Sequence, residues 1–75
     1  MNTDYVKDWN SKRFEFIIYR KRNNIKQKDL SKYLHVSSNT ISCIELGYIT
    51  PTVSFMNEMN NIVERLIRLR NEQQT

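Results

Sequence analysis

The stretch Gln27-Lys28-Asp29-Leu30-Ser31-Lys32-Tyr33-Leu34-His35-Val36-Ser37-Ser38-Asn39-Thr40-Ile41-Ser42-Cys43-Ile44-Glu45-Leu46-Gly47 decides the reading of this chain. Leu30, Tyr33 and Leu34 fall at helical spacing and predict a helix over about 27–34. Its start is expected to be poorly capped, because Lys26 stands where a Ser or Thr would accept a backbone N–H, a loss of about 1 kcal/mol. His35 occupies the turn and tolerates a positive φ better than most residues. Val36 turns inward and Ser37 caps a second short helix over about 38–46, whose buried stripe is Ile41 and Ile44. Gly47 supplies a left-handed stop. Ser38, Asn39, Ser42 and Cys43 are left on the outward side, a polar ridge of a kind that enters a nucleic-acid groove. That ridge carries no Lys or Arg.

Outward from this stretch the pattern stays helical. Tyr48 to Pro51 form a connection, and Thr50 or Thr52 caps the next helix. From Val53 no Gly or Pro interrupts the chain, and a single helix is predicted to about Glu72. Phe55, Met59, Ile62, Leu66 and Leu69 make one stripe on it, and Met56, Val63 and Ile67 a neighbouring one. Its second half exceeds what so small a domain can bury, so Ile62, Leu66, Ile67 and Leu69 are expected to meet a partner. Before the stretch, Asn23-Asn24 is a polar break and Ile25 drops into the core. A first helix is predicted over about 11–23, with Phe16 and Tyr19 on one side and Phe14, Ile17 and Ile18 on the other. Apolar on two sides, it needs a cover for both. Residues 1–10 read as an amino-terminal arm or a short helical lead-in, and residues 11–75 as the domain.

Seventy-five residues with one Gly and one Pro suit a single small helical domain rather than a sheet. The net charge of +4 hides an asymmetry. Lys12, Arg13, Arg20, Lys21, Arg22, Lys26, Lys28 and Lys32 crowd the first half, whereas Glu45 is the sole charge across residues 33–57. A basic segment suits phosphate contacts, though such charges also solvate ordinary helix faces. Lys26 and Lys28 are better placed for phosphate than Lys12 or Arg13. Cys43 is alone, so no internal disulfide forms, and no Cys/His spacing suits zinc; no metal and no cofactor are expected. One His without a companion and no phosphate-cradling glycine loop argue against an enzyme. No apolar run spans a bilayer and the start is not a signal peptide, which predicts a cytoplasmic protein without a membrane role.

The ordered series Arg20, Ile25, Gln27, Leu30, Leu34, Val36, Ser37, Thr40, Ile41, Ile44, Glu45, Gly47 and Pro51 resembles the Cro/repressor-type (lambda-repressor-like, XRE-type) helix-turn-helix family of small phage and bacterial transcriptional regulators. The resemblance covers Phe16 to Val63. It implies an all-α bundle of four to five helices, with a central helix-turn-helix and a long carboxy-terminal helix. It implies a salt bridge between Arg20 and Glu45, and a phosphate contact at Gln27. Ser37, Ser38, Asn39, Thr40, Ser42 and Cys43 match positions of the recognition helix that meets DNA. Tyr48 either reaches a phosphate or covers the edge of the core. His35, Ser31 and Asn60 depart from the family pattern, which has a glycine, an alanine and a small apolar residue there. The resemblance implies a homodimer on double-stranded operator DNA. The alternative is a helix-turn-helix protein acting on another protein, such as a repressor whose action it modulates or a toxin it covers.

Overall fold

Four helices form among the described residues, 4–73, of the computed structural model: α1 Trp9–Arg22, α2 Gln27–Leu34, α3 Ser38–Glu45 and α4 Val53–Gln73. Residues 1–3 of the expected arm and 74–75 at the end of the expected domain lie outside the described residues. The fold is all-α, with four helices rather than five. α2 packs on both α3 and α4, and α1 crosses α3. Leu30, Ile41, Met59 and Val63 are fully buried where these helices meet, with Trp9, Phe16, Ile25 and Ile44 around them. Burial of each such side chain favours the fold by about 1.5–3 kcal/mol.

The short helices begin and end through local chemistry. The start of α2 is not left open: the Asp29 carboxylate accepts the Lys26 N–H at 3.0 Å, the half of a capping box that a lysine can take part in. His35 closes α2 at φ 58°. Ser37 Oγ accepts the Thr40 N–H at 3.1 Å and starts α3. Gly47, at φ 87°, ends it. There the Tyr48 N–H reaches the Cys43 carbonyl and the Gly47 N–H that of Ile44, the paired bonds of a Schellman stop. Thr52, not Thr50, caps α4, its hydroxyl accepting the Phe55 N–H at 3.1 Å.

Three expectations need correction. The arm is shorter than residues 1–10, because α1 begins at Trp9: the indole belongs to the core, and the Asp8 carbonyl takes the N–H groups of Ser11 and Lys12. Residues 4–6 are also tied down, with Val6 N–H on the Pro51 carbonyl and Val53 N–H on that of Asp4. Second, Ile62, Leu66 and Ile67 do not project past the domain. They are half-buried against its own core, and only Leu69 of that set is exposed. α4 lies along the bundle, and Arg70 near its end donates to the carbonyls of Asn23 and Asn24. Third, Tyr33 is exposed, although Leu30 and Leu34 on the same helix face inward. Of α1's two apolar sides, Phe16 is covered, while Phe14 and Ile18 are 52% and 54% exposed.

The departures at Ser31 and Asn60 are absorbed without strain. Ser31 turns its hydroxyl onto the Lys28 carbonyl of its own helix at 2.8 Å. Half-buried Asn60 lines an open groove between α1 and α4.

Candidate nucleic-acid interface

α3 is held from below by one residue. Glu45 is buried, and its carboxylate accepts Arg20 Nε and a terminal Arg20 nitrogen, each at 2.7 Å. Arg20 spends its other terminal nitrogen on the Ile25 carbonyl at 2.8 Å. A two-pronged contact of this kind fixes direction as well as distance, so the Glu45 side chain is held firmly against α1. Gln27 adds a fourth element, donating from Nε2 to Glu45 Oε1 at 2.9 Å. Its amide is thereby tied to the scaffold, and the same nitrogen keeps a second N–H.

The main chain at this end is held too. Trp9 Nε1 donates to the Ile44 carbonyl at 2.7 Å and Arg13 to the Glu45 carbonyl at 2.8 Å. These carbonyls lie in the last turn of α3, where helical C=O groups lose their i+4 N–H partners and carry partial negative charge; that of Ile44 also takes the Gly47 N–H of the helix stop. α3 has no basic residue of its own in that turn, and Arg13 supplies the cation from α1. Sequence reasoning misses both residues. A lone Trp in a polar lead-in is the one signal for Trp9; nothing local marks Arg13.

The opposite end of α3 is open. Ser37, Ser38 and Asn39 are exposed, and Thr40, Ser42 and Cys43 half-buried. Ser37 and Thr40 pair their hydroxyls at 2.9 Å, so they serve the cap first. The side chains of Ser38, Asn39 and Ser42 form no hydrogen bond among the described residues and retain their full donor and acceptor sets. Nearer the anchored end of α3, where Gln27 meets Glu45, Lys26 and Lys28 are exposed at the start of α2, whose first N–H groups have no intrahelical partner. Lys21, Lys26 and Gln27 line one shallow depression there. Tyr48, 78% exposed, stands beyond the same anchored end of α3. It does not cover the core.

A family model described as Helix-turn-helix matches residues 17–61, more than half of the chain. The chain belongs to the Cro/repressor-type helix-turn-helix family. That is a family of DNA-binding regulators. The match takes in the Arg20–Glu45 pair and all of α2 and α3; Trp9, Arg13 and Arg70 lie outside it. No curated protein and no solved structure gives a significant match. None of the helices is long and apolar enough to cross a membrane among the described residues.

Proposed function

We propose that this helix-turn-helix protein is a transcriptional regulator that binds operator DNA as a symmetric dimer in the cytoplasm. The observation that carries the reading is the hydrogen-bond-free set of exposed Ser38 and Asn39 and half-buried Ser42 on a helix fixed at its other end by Arg20 and Glu45. A rigid helix with unspent polar groups at its amino-terminal half suits the major groove. Asn39 pairs with adenine through N6 and N7, and the serines accept or donate to several bases. Cys43, at the edge of this ridge, meets a thymine methyl. Lys26, Lys28, the second Gln27 N–H and the Tyr48 hydroxyl hold phosphates and set the register. Ser37 and Thr40 support the ridge and touch the backbone.

Two copies place their α3 helices about 34 Å apart, one turn of the duplex. The dimer contact uses Leu69 and the exposed flanks of Ile62, Leu66 and Ile67 on α4. Partner binding as the main function loses one of its three motives, since the apolar tail is largely packed on its own domain; the uncharged α3 and the exposed Phe14 and Ile18 of α1 are the other two.

Selection from a randomised duplex pool, followed by electrophoretic shift over a salt series, tests the proposal. One sequence with two related half-sites should be enriched. Its affinity should fall with salt at a log–log slope of about −0.9 per neutralised phosphate. A pool that stays random at micromolar protein would sink it. Light scattering should give a dimer, and Leu69→Glu should yield monomers that shift the same duplex more weakly.

A further inference from the structure

We infer that Trp9 and Arg13 are positioning residues for sequence recognition, setting the tilt of α3 by holding its two terminal carbonyls. The inference rests on the DNA-binding reading above. Both residues lie in the first half of α1, outside residues 17–61 that the family model matches.

Three observations converge on this end of α3. The indole N–H of Trp9 sits on the Ile44 carbonyl at 2.7 Å, with the ring itself buried. The Arg13 guanidinium sits on the adjacent Glu45 carbonyl at 2.8 Å, its carbon 4.3 Å from the centre of the Phe14 ring. Gly47 gives that guanidinium its room: a Cβ there would lie 3.1 Å from Arg13 Nε and 3.0 Å from Asn10 Oδ1. The helix stop and the first turns of α1 therefore fit against each other closely.

Geometry turns this contact into a lever. Glu45 is held through its side chain by Arg20 and Gln27, and Ile41 and Ile44 pack α3 on the core. Apolar packing has no direction of its own, so a clasp at one side chain leaves the helix some freedom to rock. Two further bonds, to successive carbonyls from a different part of α1, remove that freedom. Ser38 and Asn39 lie at the far end of the same short helix, where a small change of tilt displaces the base-reading groups most. Bidentate pairing with a base tolerates little displacement. Phosphate contacts through exposed Lys26 and Lys28 are made by long side chains outside α3, which follow a small change of its tilt without losing a point-charge contact. Loss of Trp9 and Arg13 contacts should thus impair discrimination while sparing general affinity.

Variants of the full chain separate these roles. Trp9→Phe keeps an apolar ring and removes the N–H; Arg13→Met keeps the stem and removes the donor; Arg13→Lys keeps the charge. Affinities are measured for the duplex that the wild type selects and for a scrambled duplex of equal composition, over a salt series. In the double variant W9F/R13M the ratio of selected to scrambled affinity should fall about tenfold, the scale of losing two hydrogen bonds, one from a charged group. The salt slope should stay within about half a unit of wild type, because no phosphate contact is removed. Arg13→Lys should recover the ratio to within about threefold, as a charged donor remains. In an Asn39→Ala background the double change should alter the ratio by less than about twofold, since the group being aimed is gone. If the double variant does not fold, Trp9→Phe alone carries the test, with the ratio falling about threefold. An unchanged ratio, or selected and scrambled affinities falling together with a shallower slope, overturns the inference. A wild type that enriches no sequence overturns the DNA reading, and this inference with it.

Discussion

Glu45 accepts hydrogen bonds from three side chains: two from Arg20 and one from Gln27 on its carboxylate, and one from Arg13 on its carbonyl. Among so many donors the negative charge is indispensable. Glu45→Gln has nearly the same shape but turns an N–H pair towards Arg20 and leaves that buried cation unbalanced. Removing one partner of a buried pair costs about 3–5 kcal/mol, a large share of what a domain this size has. Urea denaturation of the variant should show that loss; a change below about 1 kcal/mol would mean that Arg20 finds another counter-charge. Gly47 has a second vulnerability, its φ of 87°. Gly47→Ala would be strained at that φ, by about 1–2 kcal/mol, and its Cβ would also press on the Arg13 guanidinium that holds the Glu45 carbonyl. The same denaturation experiment reads it.

α3 is built to be stable at one end and uncommitted at the other. Asn39 makes no hydrogen bond among the described residues, so Asn39→Ala should leave stability within about 0.5 kcal/mol of wild type. Against its selected duplex it should lose about 1–3 kcal/mol of discrimination at one base pair. A duplex panel substituted at each position, assayed alongside a melting curve, checks both halves. This two-ended character is legible in the chain only in part. α2, α3, the Gly47 stop and the run of α4 follow from spacing and turn chemistry, which are local. Trp9 reads as part of an arm although Asp8, an N-cap residue type, directly precedes it; Ser11 offers a competing start, and in the structure Asp8 begins α1 with a positive φ and no side-chain cap bond. The Asp29 cap is hard to see in the sequence because it works backwards, from side chain to the preceding turn. Ile62, Leu66 and Ile67 read as a partner surface because a periodic stripe gives no measure of how far the rest of the bundle reaches along it. Arg13 needs two helices in place before its carbonyl exists as a target.

At the scale of the molecule, the two flanks of the family's core region close on it from opposite sides. Trp9 and Arg13 come from the amino-terminal side onto α3. Arg70 comes from the carboxy-terminal side onto the carbonyls of Asn23 and Asn24, where the chain leaves α1 at a residue with φ 58°. That bend leads directly to Lys26 and Gln27. Arg70→Ala should cost about 0.5–1.5 kcal/mol, the net worth of exposed hydrogen bonds. It should also speed amide exchange in the last turns of α4 and at Ile25, while Leu30 and Ile41 stay protected. Uniform acceleration across the protein would mean that α4 holds the whole bundle and not this bend.

Cys43, the chain's single cysteine, sits half-buried on the flank of α3. One thiol at that place makes the wild-type molecule its own reporter, with no engineered label. Alkylation followed by mass spectrometry yields a single adduct, and its rate measures how open that flank is. A selected duplex filling the groove-facing side should slow the reaction in proportion to occupancy, whereas loosely held scrambled DNA should leave it nearly as fast as in free protein.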